Sequence, residues 1–157
     1  MPSFHTAKPG QSEALEVLAH ILGTGSNSRL YQALVVNEKL AVAAGAWYES
    51  SALDDSKFGV YGSPRDGVTL PRLEASIDAV IAAVADKGVT AEELERTKTR
   101  LIADAVYAHD NQASMARWYG SALTTGATVS DVEQWPDRIR KVTAAYVQAA
   151  AREWNLP

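Results

Sequence analysis

Residues 22–48 read LGTGSNSRLYQALVVNEKLAVAAGAWY. This stretch predicts, in order, a helix end, a turn, a second helix and a strand. An apolar pattern of helical spacing stops at Gly23, which is the predicted helix end because glycine tolerates the left-handed backbone of a C-terminal cap. After a polar turn, a second helix is predicted from Ser28 to about Asn37, with a polar turn residue as its cap. Residues 40–50, rich in alanine, valine and aromatics, then predict a strand.

The flanking sequence predicts several more helices and a single further strand. Upstream, apolar residues at helical spacing from Ser12 predict the first helix. Residues 57–62 predict a second strand, which pairs with the first as an antiparallel hairpin. Two or three strands among five or more helices indicate an α+β fold with a small sheet. Cap and stop signals predict helices from Thr69 to Gly88, from Thr90 to a break at 109–111, from Ala113 to Leu123 and from Thr143 to Trp154.

Two capping boxes are predicted where a hydroxyl residue precedes a glutamate by three positions. Thr90 with Glu93 opens the long helix in the middle of the chain. Ser130 with Glu133 forms the second box. Pro136 follows closely, and proline lacks the amide that a helix interior needs. Only a short turn is therefore predicted after Ser130.

Composition excludes several classes of protein. The 157 residues include 46% hydrophobic and 22% charged side chains, an ordinary globular balance, and no linker divides them, so one domain over 1–157 is expected. A net charge of −4 argues against a nucleic-acid surface. No apolar run is long enough to predict a membrane span. The lack of cysteine removes disulfides and thiolate ligands, but it leaves the compartment open, periplasmic or cytoplasmic.

The order of these motifs resembles a known family. LGTG at 22–25, followed by SRLYQ at 28–32 and a strand, resembles the C-terminal half-domain of bacterial pitrilysin-like zinc peptidases, the superfamily of insulinase and the mitochondrial processing peptidase. The resemblance implies helices packed on one face of an antiparallel or mixed sheet, as in LuxS and the processing peptidases. It also implies that residues 1–157 are a truncated piece of a longer chain, with a further strand expected after Pro157.

The family's zinc motif, His-x-x-Glu-His, places two imidazoles on one helical face. This chain has three histidines, His5, His20 and His109, and none of them begins such a motif. In the resembled family the motif belongs to the N-terminal half. The expectation is therefore that this piece holds no cofactor and no catalytic residue, and that zinc is bound by the N-terminal domain of the longer chain.

The glycine turn is the first candidate site. A glycine-rich turn before a helix can bind phosphate, but this one follows a helix, lacks a third glycine and has no Lys-Ser/Thr after it. A plain helix-to-helix turn is the favoured interpretation. The resemblance implies a loop that contacts peptide or the other half-domain, although the family's long form of the loop is absent. The residues concerned are Gly23, Gly25, Ser26, Asn27, Ser28 and Arg29.

Arg29 is the most informative single residue of that turn. The favoured interpretation is a structural anchor whose guanidinium ties the turn to neighbouring backbone carbonyls, with substrate contact as the alternative.

Two further positions differ from the family. Members that bind peptide through this half carry an Arg and a Tyr that hold substrate and steady an oxyanion. The resemblance places Val35 and Val42 at those positions, and valine donates no hydrogen bond. The hypothesis is that a homologous partner chain, in a homo- or heterodimer, supplies the pair.

Three functions compete at this stage. The first is the non-catalytic C-terminal domain of a pitrilysin-like zinc peptidase, which forms half of a chamber around peptide substrates beside its zinc-bearing N-terminal domain. The second is a structural or assembly subunit of the same fold, like the core proteins of the respiratory bc1 complex. The third is an unrelated helical interaction domain, which an all-helical structure would favour.

Overall fold

A computed structural model describes residues 1–153 and shows an α+β fold with a two-stranded antiparallel sheet. This confirms the predicted class and rules out an all-helical domain. The predicted helix end at Trp154 lies outside the described residues. The elements are α1 (Gln11–Gly23), a π-helix (Tyr31–Asn37), β1 (Ala41–Tyr48), β2 (Phe58–Pro64), α2 (Leu70–Lys87), α3 (Ala91–His109), α4 (Gln112–Thr124), α5 (Val129–Lys141) and α6 (Ala144–Glu153).

The predicted hairpin is confirmed, and its two faces differ. Ala46 lies opposite Val60 on the inner face, where α1 and α2 cover the sheet. On the outer face, Trp47 and Tyr61 remain 46% and 54% exposed. Helices therefore pack on one face only among the residues described, as the resemblance implied.

The core forms around α1. Its apolar residues are buried against the sheet, α6 and α3, and α2, the π-helix and α5 add further buried residues to the same interior. Burial of this apolar surface is the main stabilising contribution. The largest fully buried side chains are Leu15, Leu22, Leu30, Leu34, Ile139, Val17, Val84 and Val147. No helix within residues 1–153 combines the length and the apolar character needed to cross a bilayer.

Gly23 ends α1 for a different reason from the one predicted. The left-handed backbone belongs to Gly25, with φ of 80°, and Gly23 is not among the residues of positive φ. A Cβ on Gly23 would lie 1.7 Å from the backbone nitrogen of Ala46. Glycine is needed at this position because the end of α1 rests directly on β1.

The prediction for the region around Pro136 is wrong. A 13-residue helix, α5, contains Pro136, and its capping box is Thr128 with Asp131 instead of Ser130 with Glu133. Val132 and Ile139 bury one face of α5, so tertiary packing offsets the hydrogen bond that proline removes. The other predicted box, Thr90 with Glu93, is confirmed.

The helix predicted from Ser28 becomes a π-helix over most of its length. Glu38 N donates to Ala33 O at 2.8 Å, five residues back, and Leu40 N donates to Leu34 O at 2.8 Å. The chain then turns into β1 through Lys39, a non-glycine residue with φ of 55°. The sequence could not reveal this wider winding, because buried Leu30 and Leu34 suit an α-helix equally well.

Candidate functional site

The glycine turn, residues 23–28, joins α1 to the π-helix and is the predicted site segment. Ser28 N donates to Gly25 O at 3.2 Å, which closes the turn. Gln32 Nε2 donates to Ser26 O at 2.6 Å. Thr24 to Asn27 are exposed, whereas Ser28 is 3% exposed. The structure therefore presents a fixed, solvent-facing turn whose last residue points inward.

Arg29 anchors this turn to the corner between α2 and α3. Its Nε and Nη2 donate to the two carboxylate oxygens of Glu93 at 2.9 and 2.8 Å. Nη2 also donates to Gly88 O at 3.2 Å. The Arg29 hydrogen bond is the main reason that the pKa of Glu93 is lowered to about 2. These contacts agree with the anchor interpretation, including a bond to a backbone carbonyl.

The two valines lie near the start of the sheet. Val35 is partly buried against the core from the π-helix, and Val42 is 59% exposed at an irregularity of β1. A different tyrosine and arginine are nearby on β2 and just after it. Tyr61 faces outward, and Arg65 Nε donates to Ala41 O at 3.2 Å. That bond fixes Arg65 to β1, and supply of the missing pair by a partner chain stays a prediction.

A concave feature, the tryptophan groove, has a volume of about 440 Å³ and lies between α1, β1, α3, α4 and α5. Its volume falls in the range of sites that hold small ligands or peptide side chains. Trp118 packs edge-on against Trp135 with 5.8 Å between ring centroids. The lining residues that carry rings or charges include Trp47, Trp118, Trp135, Glu16, His20 and Asp104.

Two polar side chains that line the groove, Glu16 and His20, are carried by α1. Trp135 Nε1 donates to Glu16 Oε2 at 2.7 Å. Burial nevertheless raises the pKa of Glu16, and burial lowers the pKa of His20. Burial raises the pKa of Tyr48 to about 12, and its hydroxyl donates to Pro2 O at 2.6 Å. Burial in the groove therefore favours the uncharged forms of these three side chains over their charged forms.

One ion pair holds α5 against α1. Arg138 Nε donates to Glu13 Oε1 at 2.6 Å, and the Glu13 side chain is 4% exposed. A buried, directly hydrogen-bonded pair of this kind is costly to break. It fixes the helix that carries Trp135.

Sequence reasoning missed the tryptophan groove. The tryptophans that line it are far apart in the sequence, and no local pattern links them. One signal was present, since Glu13, Glu16 and His20 are polar residues at helical spacing on an otherwise apolar helix. Such a stripe indicates polar partners elsewhere in the fold, but not which ones.

No group of three or more His, Asp or Glu side chains in residues 1–153 is arranged to hold a metal ion.

Comparison with known proteins decides the family. The family model described as peptidase M16 inactive domain matches residues 3–101. The chain belongs to the peptidase M16 inactive-domain family. This confirms the resemblance to pitrilysin-like zinc peptidases, and the matched residues include the whole of the glycine turn and Arg29.

The relatives of this inactive domain include one similar in sequence and several similar in fold. An uncharacterised zinc protease of Streptomyces coelicolor is 34% identical over 142 residues, which make up 89% of this chain and 30% of that protein. A Helicobacter pylori protease has a TM-score of 0.86 at 20% identity, with 98% of this chain and 36% of the other covered. The inactive peptidase domain of a Bordetella parapertussis protein has a TM-score of 0.83 at 20% identity, covering 99% and 82%. The chain thus spans about a third of the length of the first two relatives.

Proposed function

We propose that this M16 inactive domain is the non-catalytic half of a zinc peptidase and encloses peptide substrates together with a zinc-bearing half. The observation that carries the proposal is the family match over residues 3–101. The sequence similarity to a zinc protease, in which this chain would occupy 30% of the length, supports it. Because this chain would cover only part of such a protein, the coverage suggests that this domain and another domain divide substrate binding and hydrolysis between them.

In this proposal the zinc ion belongs to the N-terminal half of the longer chain. There it would lower the pKa of a bound water and polarise the scissile carbonyl. The inactive domain contributes surface, which positions the peptide and excludes water from the reaction.

The tryptophan groove and the glycine turn are the surfaces best suited to that role. Trp118 and Trp135 offer apolar faces to peptide side chains, and indole rings bury large areas at little entropic cost. The turn adds exposed backbone groups at one end of the groove, where Thr24 belongs to both. A rigid attachment through Arg29 keeps that edge in place.

A homologous partner chain completes the proposal. Val35 and Val42 offer no donor for a substrate carbonyl or an oxyanion, so a second chain of the same fold would supply the arginine and tyrosine. The alternative is a subunit that keeps the fold for assembly alone.

The test is cleavage with the domains separated. The zinc-bearing half is expressed alone, this chain is added back, and hydrolysis of a fluorogenic peptide is followed. We expect hydrolysis to rise with added chain until it saturates. Complex formation without hydrolysis would favour the assembly role, and equal hydrolysis with and without the chain would contradict the chamber.

A matched pair of variants locates the contact surface. Trp118→Ala, in the groove, is expected to raise KM about 2- to 10-fold because it removes an aromatic contact. Tyr107→Ala removes an aromatic residue that is 74% exposed and does not line the groove, and it should leave KM unchanged. Thermal unfolding of both variants checks that the fold is kept.

A further inference from the structure

A second, much smaller cavity lies directly beneath the glycine turn. The Ser28 pocket has a volume of about 30 Å³ and opens between the C-terminal end of α1, the turn and α3. A single water needs roughly 10–15 Å³ measured in this way, so the pocket accepts two or three oxygen-sized atoms. The polar residues around it include His20, Thr24, Asn27, Ser28, Arg96 and Arg100.

Two buried polar atoms of residues that line this pocket have no hydrogen-bond partner within residues 1–153. They are Ser28 Oγ and His20 Nδ1, and both residues line the pocket. Leaving a buried polar atom unpaired costs about 1–3 kcal/mol, so native proteins rarely do so without a reason. Ser28 stands where a helix cap is expected, yet its hydroxyl accepts no backbone amide. Its side chain is available for a ligand.

The charge around the pocket is positive. Arg100 has no hydrogen bond or ion pair with any residue from 1 to 153, and its Nη1 would lie 3.4 Å from a Cβ placed on Gly25. Within the described part of the chain, the ion pair of Arg96 is a long, exposed contact of 3.6 Å to Glu92. Glu93, whose carboxylate also lines the pocket, is already paired with Arg29. Asp104 influences His20 from the groove side and does not line the pocket.

The donors in the pocket outnumber its acceptors. The Ser28 hydroxyl and the guanidinium groups of Arg96 and Arg100 belong to lining residues, and arginine donates in a planar fork that matches the two oxygens of a carboxylate. The volume suits those two oxygens better than the four of a phosphate.

We propose that the Ser28 pocket binds a carboxylate group, held by Arg100 and Arg96 and by the Ser28 hydroxyl. This inference rests on the proposed function, because a chamber that encloses peptides would be the source of the carboxylate. The carboxylate would be either the C-terminus of a peptide or an acidic side chain. Either source brings the same chemistry to the same atoms. The tryptophan groove, which shares His20 and Thr24 with the pocket, would then receive the neighbouring peptide residues.

The test is a titration of the ¹⁵N-labelled chain, followed by the amide shifts of residues 25–28. Three peptides are compared: acetyl-trialanine with a free C-terminus, the same peptide amidated, and an amidated acetyl-Ala-Glu-Ala. We expect the amide signals to shift with the free C-terminal peptide, with the glutamate peptide or with both, and not with amidated acetyl-trialanine. Which of the two peptides causes shifts separates C-terminal from side-chain carboxylates. Equal shifts with all three, or with none, would overturn the proposal.

Variants separate binding from folding. Arg100→Gln is expected to weaken carboxylate binding about tenfold or more, since a hydrogen bond to a charged group is lost. Arg72→Gln changes an exposed arginine on α2 outside the pocket and should bind as the unchanged chain does. Binding by Arg100→Gln at full strength would contradict the assignment.

Ser28→Ala gives an independent readout. Removing an unpaired buried hydroxyl should leave the free energy of unfolding of the ligand-free chain equal or higher, while carboxylate binding weakens. A hydroxyl with a purely structural role predicts the opposite, lower stability with unchanged binding. Neither titration requires catalysis, so failure of the carboxylate site is distinguishable from failure of the add-back cleavage that tests the chamber.

Discussion

The Arg29–Glu93 pair is the residue-scale contact that fixes the glycine turn. The two residues are 64 positions apart in sequence, and their side chains are 24% and 20% exposed. Glu93 also accepts from the Thr90 backbone amide at 3.0 Å, so one carboxylate serves both the turn and the start of α3. A bidentate arginine in partial shelter from water is stronger than an ordinary surface ion pair.

This pair predicts a specific response to acid. Arg29→Met should lower the free energy of unfolding by about 1.5–3 kcal/mol at neutral pH, because charge-assisted hydrogen bonds are lost. The folded pKa of Glu93, about 2, is below its ordinary value of 4.5. Its contribution is therefore complete above pH 4.5 and is lost as the pH falls towards 2. Urea titrations of the unchanged chain and of Arg29→Met between pH 7 and pH 2.5 measure the gap between their free energies of unfolding.

We expect that stability gap to narrow below pH 4.5. Arg72→Met, an exposed arginine on α2, serves as the control and should show little change at any pH. A gap that stays constant down to pH 2.5 would contradict the assigned role of Glu93.

Arg29 could be selected from the sequence, but its partner could not. The Ser-Arg-Leu-Tyr run marked the residue as an anchor. Glu93 was visible only as the third residue of a capping box, and a local motif carries no information about a contact 64 residues away. The unpaired Ser28 hydroxyl was likewise hidden, because the sequence offered it as a helix cap.

At the scale of elements, the end of α1 and the middle of β1 touch through backbone. Gly23 brings the helix within contact of Ala46 and removes any room for a side chain. This contact sets where the glycine turn emerges over the sheet. The turn is thus positioned by the core and not by its own hydrogen bonds alone.

Two glycine substitutions test this packing. Gly23→Ala should lower the free energy of unfolding by about 1–3 kcal/mol or more, because a methyl group 1.7 Å from Ala46 N forces the two elements apart. Gly120 lies inside α4 with no atom within 4 Å of an added Cβ. Gly120→Ala should therefore raise stability by about 0.5–1 kcal/mol. Thermal or urea unfolding measures both, and similar effects at the two sites would contradict this account of α1.

Most elements were predictable from local rules, and the failures have local causes. Periodicity and caps placed α2, α3 and α4 and both strands close to their observed bounds. The rule against proline inside a helix failed at α5, since buried Val132 and Ile139 outweigh one missing hydrogen bond. The π-helix was beyond sequence reasoning, because its winding depends on how Leu34 meets the start of β1.

At the scale of the whole molecule, the inactive domain presents two surfaces that could meet a peptide. The tryptophan groove draws residues from five elements, and the Ser28 pocket adjoins it through His20 and Thr24. The motif order in residues 22–48 was enough to predict the family. The groove could not be predicted, since it arises only when α5 folds back against α1 and α4 packs against α3 and α5.

The most direct test of a division of labour is hydrolysis by this chain alone. The purified 157-residue chain is incubated with a mixed fluorogenic peptide library, with and without added zinc and with a chelator control. We predict no hydrolysis above the buffer blank under any of these conditions, because the proposed function makes the chain a wall of the chamber and assigns hydrolysis to the zinc-bearing half. Zinc-dependent, chelator-sensitive cleavage that co-elutes with the chain would contradict that claim.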